Sequence, residues 1–116
     1  MVIVKATPDS EAGAKPTPKL IQDMGAFNQQ LIAAGIMTDG GGLKPTSQGA
    51  RVAFSGKERA VSKGPFGNVG DLVSGYWIWT VKDLDEAIDW VKRCPNPMPG
   101  PSTIEIRPLY EMEDFA

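Results

Sequence analysis

Residues 74–81 read SGYWIWTV, and this block constrains the fold more than any other stretch. Its alternation predicts a β-strand with Tyr76, Ile78 and Thr80 on one face and Trp77, Trp79 and Val81 on the other. Both sets are bulky. A sheet built around such a strand must be covered on both sides, because large apolar surface left in water is unfavourable. A chain of 116 residues supplies one modest core, so the whole length reads as one domain, 1–116.

The cover on one side comes from two amphipathic helices. Thr17 reads as an N-cap with Pro18 at the first helical position, and Leu20, Met24, Phe27, Leu31 and Ala34 fall on one face. Gly35 ends this helix, which spans about 18–34. Asp83-Leu84-Asp85-Glu86 has the spacing of a capping box. Leu84, Ala87, Ile88 and Val91 then form the stripe of a helix over about 84–93, with Trp90 beside it.

Strands fill the rest. MVIVKA (1–6) opens the chain as a strand, and the polar run Thr7–Pro16 reads as a loop. A strand starting at Ile36 is interrupted by Asp39-Gly40-Gly41-Gly42, since three glycines weaken a strand unless backbone or ligand comes close. Residues 50–55 and 58–62 alternate around a Gly56-Lys57 turn and predict a hairpin. CPNPMPGP (94–101) is a rigid connector, and residues 103–109 form a last strand before an acidic tail. The order strand, helix, strand, hairpin, strand, helix, strand is a ferredoxin-like α+β sandwich with an added β-hairpin. Two helices cover one sheet face. The second face calls for a second copy, so a homodimer joined sheet to sheet is expected.

Four segments carry a resemblance: AAGIMTDGGGLKP (33–45), GARVAFSG (49–56), KGPFGNVGDLVSGYWIW (63–79) with DLDEAIDWVKRCP (83–95), and IEIRPL (104–109). In this order they resemble the YCII-related superfamily, and within it the DGPF-domain branch. The resemblance implies a dimeric α+β barrel type of ferredoxin-like fold. It implies little about activity, since most such proteins have none established and some are encoded beside alternative sigma factors. Related members include a dehydrochlorinase acting on a hydroxylated aromatic ring, and a His–Asp pair has been proposed as catalytic in the wider group. That pair does not carry over, because this chain has no histidine. Lys63 stands in place of the branch's namesake aspartate, while Gly64, Pro65 and Phe66 match. Asn68 and Gly70 replace the glutamate and lysine that often follow, and Asp71 is retained.

Composition removes several function classes. The absence of histidine takes away the usual general base and the commonest metal ligand, and with one cysteine a metal site is not expected. No cofactor motif is present; Gly40–Gly42 lacks the following helix and the lysine of a phosphate loop. A net charge of −2 without a basic stripe argues against nucleic acid. No run approaches a membrane span, the start lacks signal-peptide character, and the lone Cys94 suits a reducing, cytoplasmic setting as an inert thiol.

The remaining candidates sit in two loops and the aromatic strand. Asp39 reads as a turn residue or as a pocket carboxylate able to act as a base. Asp71 reads as a cap for loop amides or as a second such carboxylate. Gly41, Gly42, Phe66 and Tyr76 are candidate pocket walls for a small apolar or aromatic ligand. Arg51 and Arg107 could bind an anionic group or make ion pairs, for instance with Glu105 or Glu58 of a neighbouring strand. These residues support a dimeric small-molecule-binding domain or a weak lyase- or isomerase-type enzyme. The alternative is a non-catalytic regulatory or protein-interaction module that kept the fold.

Overall fold

The aromatic block forms the central strand of a sheet in a computed structural model that describes residues 1–115. The elements are β1 (Val2–Lys5), α1 (Pro8–Glu11), α2 (Pro18–Ala33), β2 (Met37–Gly42), β3 (Ala50–Ser55), β4 (Glu58–Lys63), β5 (Val73–Trp79), α3 (Leu84–Lys92) and β6 (Ile104–Ile106). Four strands make an antiparallel sheet in the order β2-β5-β1-β6. With β3 and β4 set aside, this is the ferredoxin-like order. The sheet is open and does not close into a barrel.

The predicted alternation decides the layers. Gly75, Trp77 and Trp79 are buried on the helix side, whereas Ser74, Tyr76 and Ile78 are only half-buried on the other. Val2 and Val4 sit opposite Trp77 and Gly75 and join the helix side. The core there is Val2, Val4, Phe27, Leu31, Ile36, Trp77, Trp79 and Ala87. Phe27 meets Trp77 edge-on with ring centroids 6.2 Å apart, and the two tryptophans lie 5.6 Å apart. Such packing favours edge-on and tilted rings over a flat stack.

Both long helices start where their caps predict. The Thr17 hydroxyl accepts from the Leu20 amide at 3.1 Å, and Pro18 is the first helical residue. Asp83 accepts from the Glu86 amide at 2.8 Å. The reciprocal bond shifts by one residue, since Glu86 accepts from the Lys82 amide at 3.3 Å.

Two elements differ from the sequence reading. The segment read as a loop after β1 contains α1, capped by Thr7 and Ser10, each accepting from the other's backbone N–H. The glycine run does not interrupt β2. Gly40, Gly41 and Gly42 pair with Trp77, Tyr76 and Gly75. At Gly40 the strand requires the missing side chain: a Cβ there would stand 2.8 Å from Trp77 Cδ1 and 3.3 Å from the Tyr76 carbonyl, whereas Gly41 and Gly42 have room for one. The close approach anticipated for these glycines is made by β5 itself.

The β3–β4 hairpin forms as predicted, turning at Gly56 with φ of 59°. It stands apart from the main sheet as a second, two-stranded one, and every position in both strands is exposed. Its base is held at Gly64, whose amide donates to the Gly49 carbonyl at 3.0 Å.

Candidate functional site

An open cavity of about 940 Å³ lies between α2, the helix side of the sheet and the proline-rich connector after α3. Leu20, Met24 and Asn28 of α2 form one wall, spaced four residues apart and therefore on one helix face. Val4, Gly40, Gly42, Gly75 and Trp77 form the floor. Met98 and the prolines around it close the far side.

Each wall is fixed by specific bonds. Trp77 Nε1 donates to Asn28 Oδ1 at 3.0 Å, which sets the indole at the cavity floor. The connector cannot be helical because of its prolines, and Asn96 gives it shape instead. The Asn96 side-chain oxygen accepts from the Met98 amide (3.0 Å) and the Ser102 hydroxyl (2.6 Å), and its Nδ2 donates to the Gly100 carbonyl. The Thr7 hydroxyl donates to Met98 Sδ at 3.4 Å, tying the connector to α1. The charged lining residues are Asp9, Lys15, Lys19 and Asp23, the first three of them exposed. Lys19 and Asp23 pair at 2.8 Å, and the hydrogen bond to Asp23 raises the Lys19 ammonium pKa.

The sequence-level candidates divide into three places. Gly41, Gly42 and Tyr76 border the cavity, although the Tyr76 ring lies across Gly41 on the helix-free face. Phe66 and Arg51 are together but away from it. The Arg51 guanidinium stacks on the Phe66 ring at 4.0 Å, and among the described residues it enters no ion pair. Arg107 does pair with Glu105, at 3.4 Å on an exposed surface. Asp39 is exposed and accepts from the next amide, that of Gly40, at 2.8 Å. Asp71 accepts from the Asn68 side-chain amide at 2.8 Å and holds the turn Val69–Asp71. Neither aspartate lines the cavity.

Met98 and Asn28 were not singled out from the sequence. Asn28 had a readable signal, as a polar residue between Met24 and Leu31 on the apolar stripe of α2. Met98 had none, because its position depends on how the connector folds back.

The lining is chiefly apolar, with three methionines (Met24, Met37 and Met98) that adapt to varied shapes and one tryptophan. Cys94 is outside it, and burial pushes that thiol up to about 11, far from a reactive thiolate. Among the described residues no three His, Cys, Asp or Glu side chains gather as a metal site would require. No helix is long and apolar enough to cross a membrane.

Residues 1–113 match the model of the YCII-related domain. The chain belongs to that family. The YCII-related assignment agrees with the ferredoxin-like strand order and with the resemblance read from the four segments. An uncharacterised protein of Rhizobium meliloti (strain 1021) is 29% identical over 91 residues, which cover 78% of this chain and 73% of the relative. The name of that relative of this YCII-related chain assigns no chemistry.

Proposed function

We propose that this YCII-related protein is a homodimeric binding protein for a small, largely apolar or aromatic molecule, held in the cleft beside α2. One observation carries the reading: an open, chiefly apolar cavity of about 940 Å³ lined by Trp77, whose charged lining residues Asp9, Lys15 and Lys19 are exposed. That combination matches small-molecule sites, where apolar walls supply affinity and a few polar groups set orientation. Catalysis is the weaker reading because Asp39 accepts from the neighbouring Gly40 amide within β2 and Asp71 holds the Val69–Asp71 turn, both outside the cavity. Gly64-Pro65-Phe66 and the IEIRPL segment favour placing the chain in the DGPF-domain branch. The half-buried Ile3, Tyr76 and Ile78 on the helix-free sheet face support self-association through that face.

Ligand-observed NMR against a panel of monocyclic aromatic and aliphatic compounds tests the reading. A Cβ on Gly42 meets nothing within 4 Å, so Gly42→Phe is expected to fold normally and fill the cleft. Binding should disappear in Gly42→Phe and persist in Asp39→Asn and Asp71→Asn. Compounds that bind Gly42→Phe as well as the parent protein would place the site elsewhere.

A further inference from the structure

Two exposed surfaces at opposite ends of the sheet complement one another. The first is one face of the hairpin. Val52 pairs with Val61 and Phe54 with Arg59, so these four share a face, and Ala50 and Lys63 extend it. Val52, Phe54 and Val61 are 50%, 70% and 65% exposed, an apolar strip on a two-stranded ribbon. Cations surround it: Arg59 covers the Phe54 ring at 4.2 Å, and Lys57 and Lys63 mark the turn and the far end.

The second surface is the segment after β6. Tyr110 and Phe115 pack as tilted rings with centroids 5.0 Å apart, yet they are 78% and 71% exposed, and Met112 between them is 87% exposed. The residues between carry acids, Glu111, Glu113 and Asp114. Among the described residues neither these acids nor the hairpin's cations enter an ion pair. One surface is apolar and basic, the other apolar and acidic, and each lacks a partner.

The topology keeps them apart within one chain. Leu43 and Ser74 flank the hairpin excursion and are bonded at 2.9 Å, at the end of the sheet where β1 finishes. β6 runs the other way. Ile106 pairs with Val2, and the Arg107 amide donates to the Met1 carbonyl, so the acidic segment departs from the end where β1 begins. β5 spans about 20 Å between those ends at ~3.3 Å per residue. A two-fold axis through the helix-free sheet face can set one end of each sheet beside the opposite end of its mate.

We propose that the segment Leu109–Phe115 of one copy docks on the Val52–Phe54–Val61 face of the hairpin of a second copy, and the reverse, in a closed two-fold exchange. The exchange rests on the self-association proposed above and adds what secures it. Each docking occurs twice, so modest contacts are doubled by symmetry. The ring of charge sets register and discriminates against other apolar partners.

The test is a charge exchange followed by sedimentation velocity on the full chain. One variant carries Lys57→Glu and Lys63→Glu, the other Glu111→Lys and Glu113→Lys. Each alone should dimerise at least about tenfold more weakly, because like charges now face each other across the contact. Mixed in equal amounts, the two should form a heterodimer, since both dockings regain opposite charges. Rescue on mixing also shows that each variant is folded. Dimerisation untouched by either substitution, or weakened without rescue, overturns the docking while leaving a sheet-to-sheet dimer standing. A parent protein that stays monomeric overturns both. Ligand binding in the cleft is read separately and does not depend on either outcome.

Discussion

Trp77 and Trp79 lie two residues apart on the same face of β5, yet their indole N–H groups have opposite fates. Trp77 donates to Asn28, whereas Trp79 Nε1 is buried without an acceptor. A buried polar group left unpaired costs about 1–3 kcal/mol. Trp77→Phe leaves the Asn28 oxygen without its donor and should lower stability by about 1–3 kcal/mol. Trp79→Phe removes an orphaned donor, which offsets part of the lost apolar area, so its cost should stay under about 1 kcal/mol. Urea titrations of the two variants make the comparison. Gly40→Ala should cost about 1–3 kcal/mol, because its methyl must displace the Trp77 ring or the strand. Cys94 gives a pH prediction. The folded thiol titrates near 11 against an ordinary 9.0, so between those values the unfolded chain loses its proton first. The unfolded state then binds fewer protons, and stability falls as pH rises through that window. Alkylation of the native protein by iodoacetamide should be slow at neutral pH and accelerate only as pH approaches 11.

At the scale of elements, α1 shows what local signals do and do not reveal. Thr7-Pro8 repeats the Thr-Pro start that correctly marks α2 at Thr17-Pro18. The signal was present, but the helix covers only Pro8–Glu11 and has no apolar stripe to confirm it. Most of the sheet was legible because alternation is a property of neighbouring residues. The continuity of β2 was not, since it depends on Trp77 and Tyr76 arriving from a distant strand. The cavity was legible only in part for the same reason. Tyr76, Gly41 and Gly42 were found through their strands, but Met98 reaches the site through a connector without periodicity. The purpose of α1 also lies in a distant partner. Glu11 accepts from both the amide (3.1 Å) and the hydroxyl (2.5 Å) of Thr46, and Thr46 Oγ1 accepts from the Phe66 amide at 3.1 Å. Gly64 lies so close to the Thr46 carbonyl that no side chain fits there. Thr46→Val should therefore raise hydrogen exchange at the Phe66 amide by about tenfold, the loss of about 1.4 kcal/mol of local protection. The β1 and β5 amides should exchange as before.

At the scale of the molecule, the radius of gyration is 16.3 Å, where a compact chain of this length would give about 13 Å. The excess reflects the hairpin, whose strands contact chiefly each other. Core and arm should thus respond differently to substitution. Leu31→Ala, at a fully buried site, is expected to cost about 2–5 kcal/mol. Val61→Thr on the arm should change thermal stability of the dilute protein by under about 0.5 kcal/mol. An isolated two-stranded ribbon is marginal in water, so β3 and β4 amides should exchange faster on dilution if a second copy normally covers them. The bond between Leu43 and Ser74 has a wider consequence. It brings together the two points where the chain leaves the sheet and returns, so residues 44–72 form an insertion at a single hairpin position, tied to the frame at Thr46 by Glu11 and at Leu72 by the Ala6 amide. Gene segments of this kind can be lengthened, trimmed or exchanged while the four-stranded frame keeps its register, which makes the arm the part of this molecule most open to divergence and to redesign.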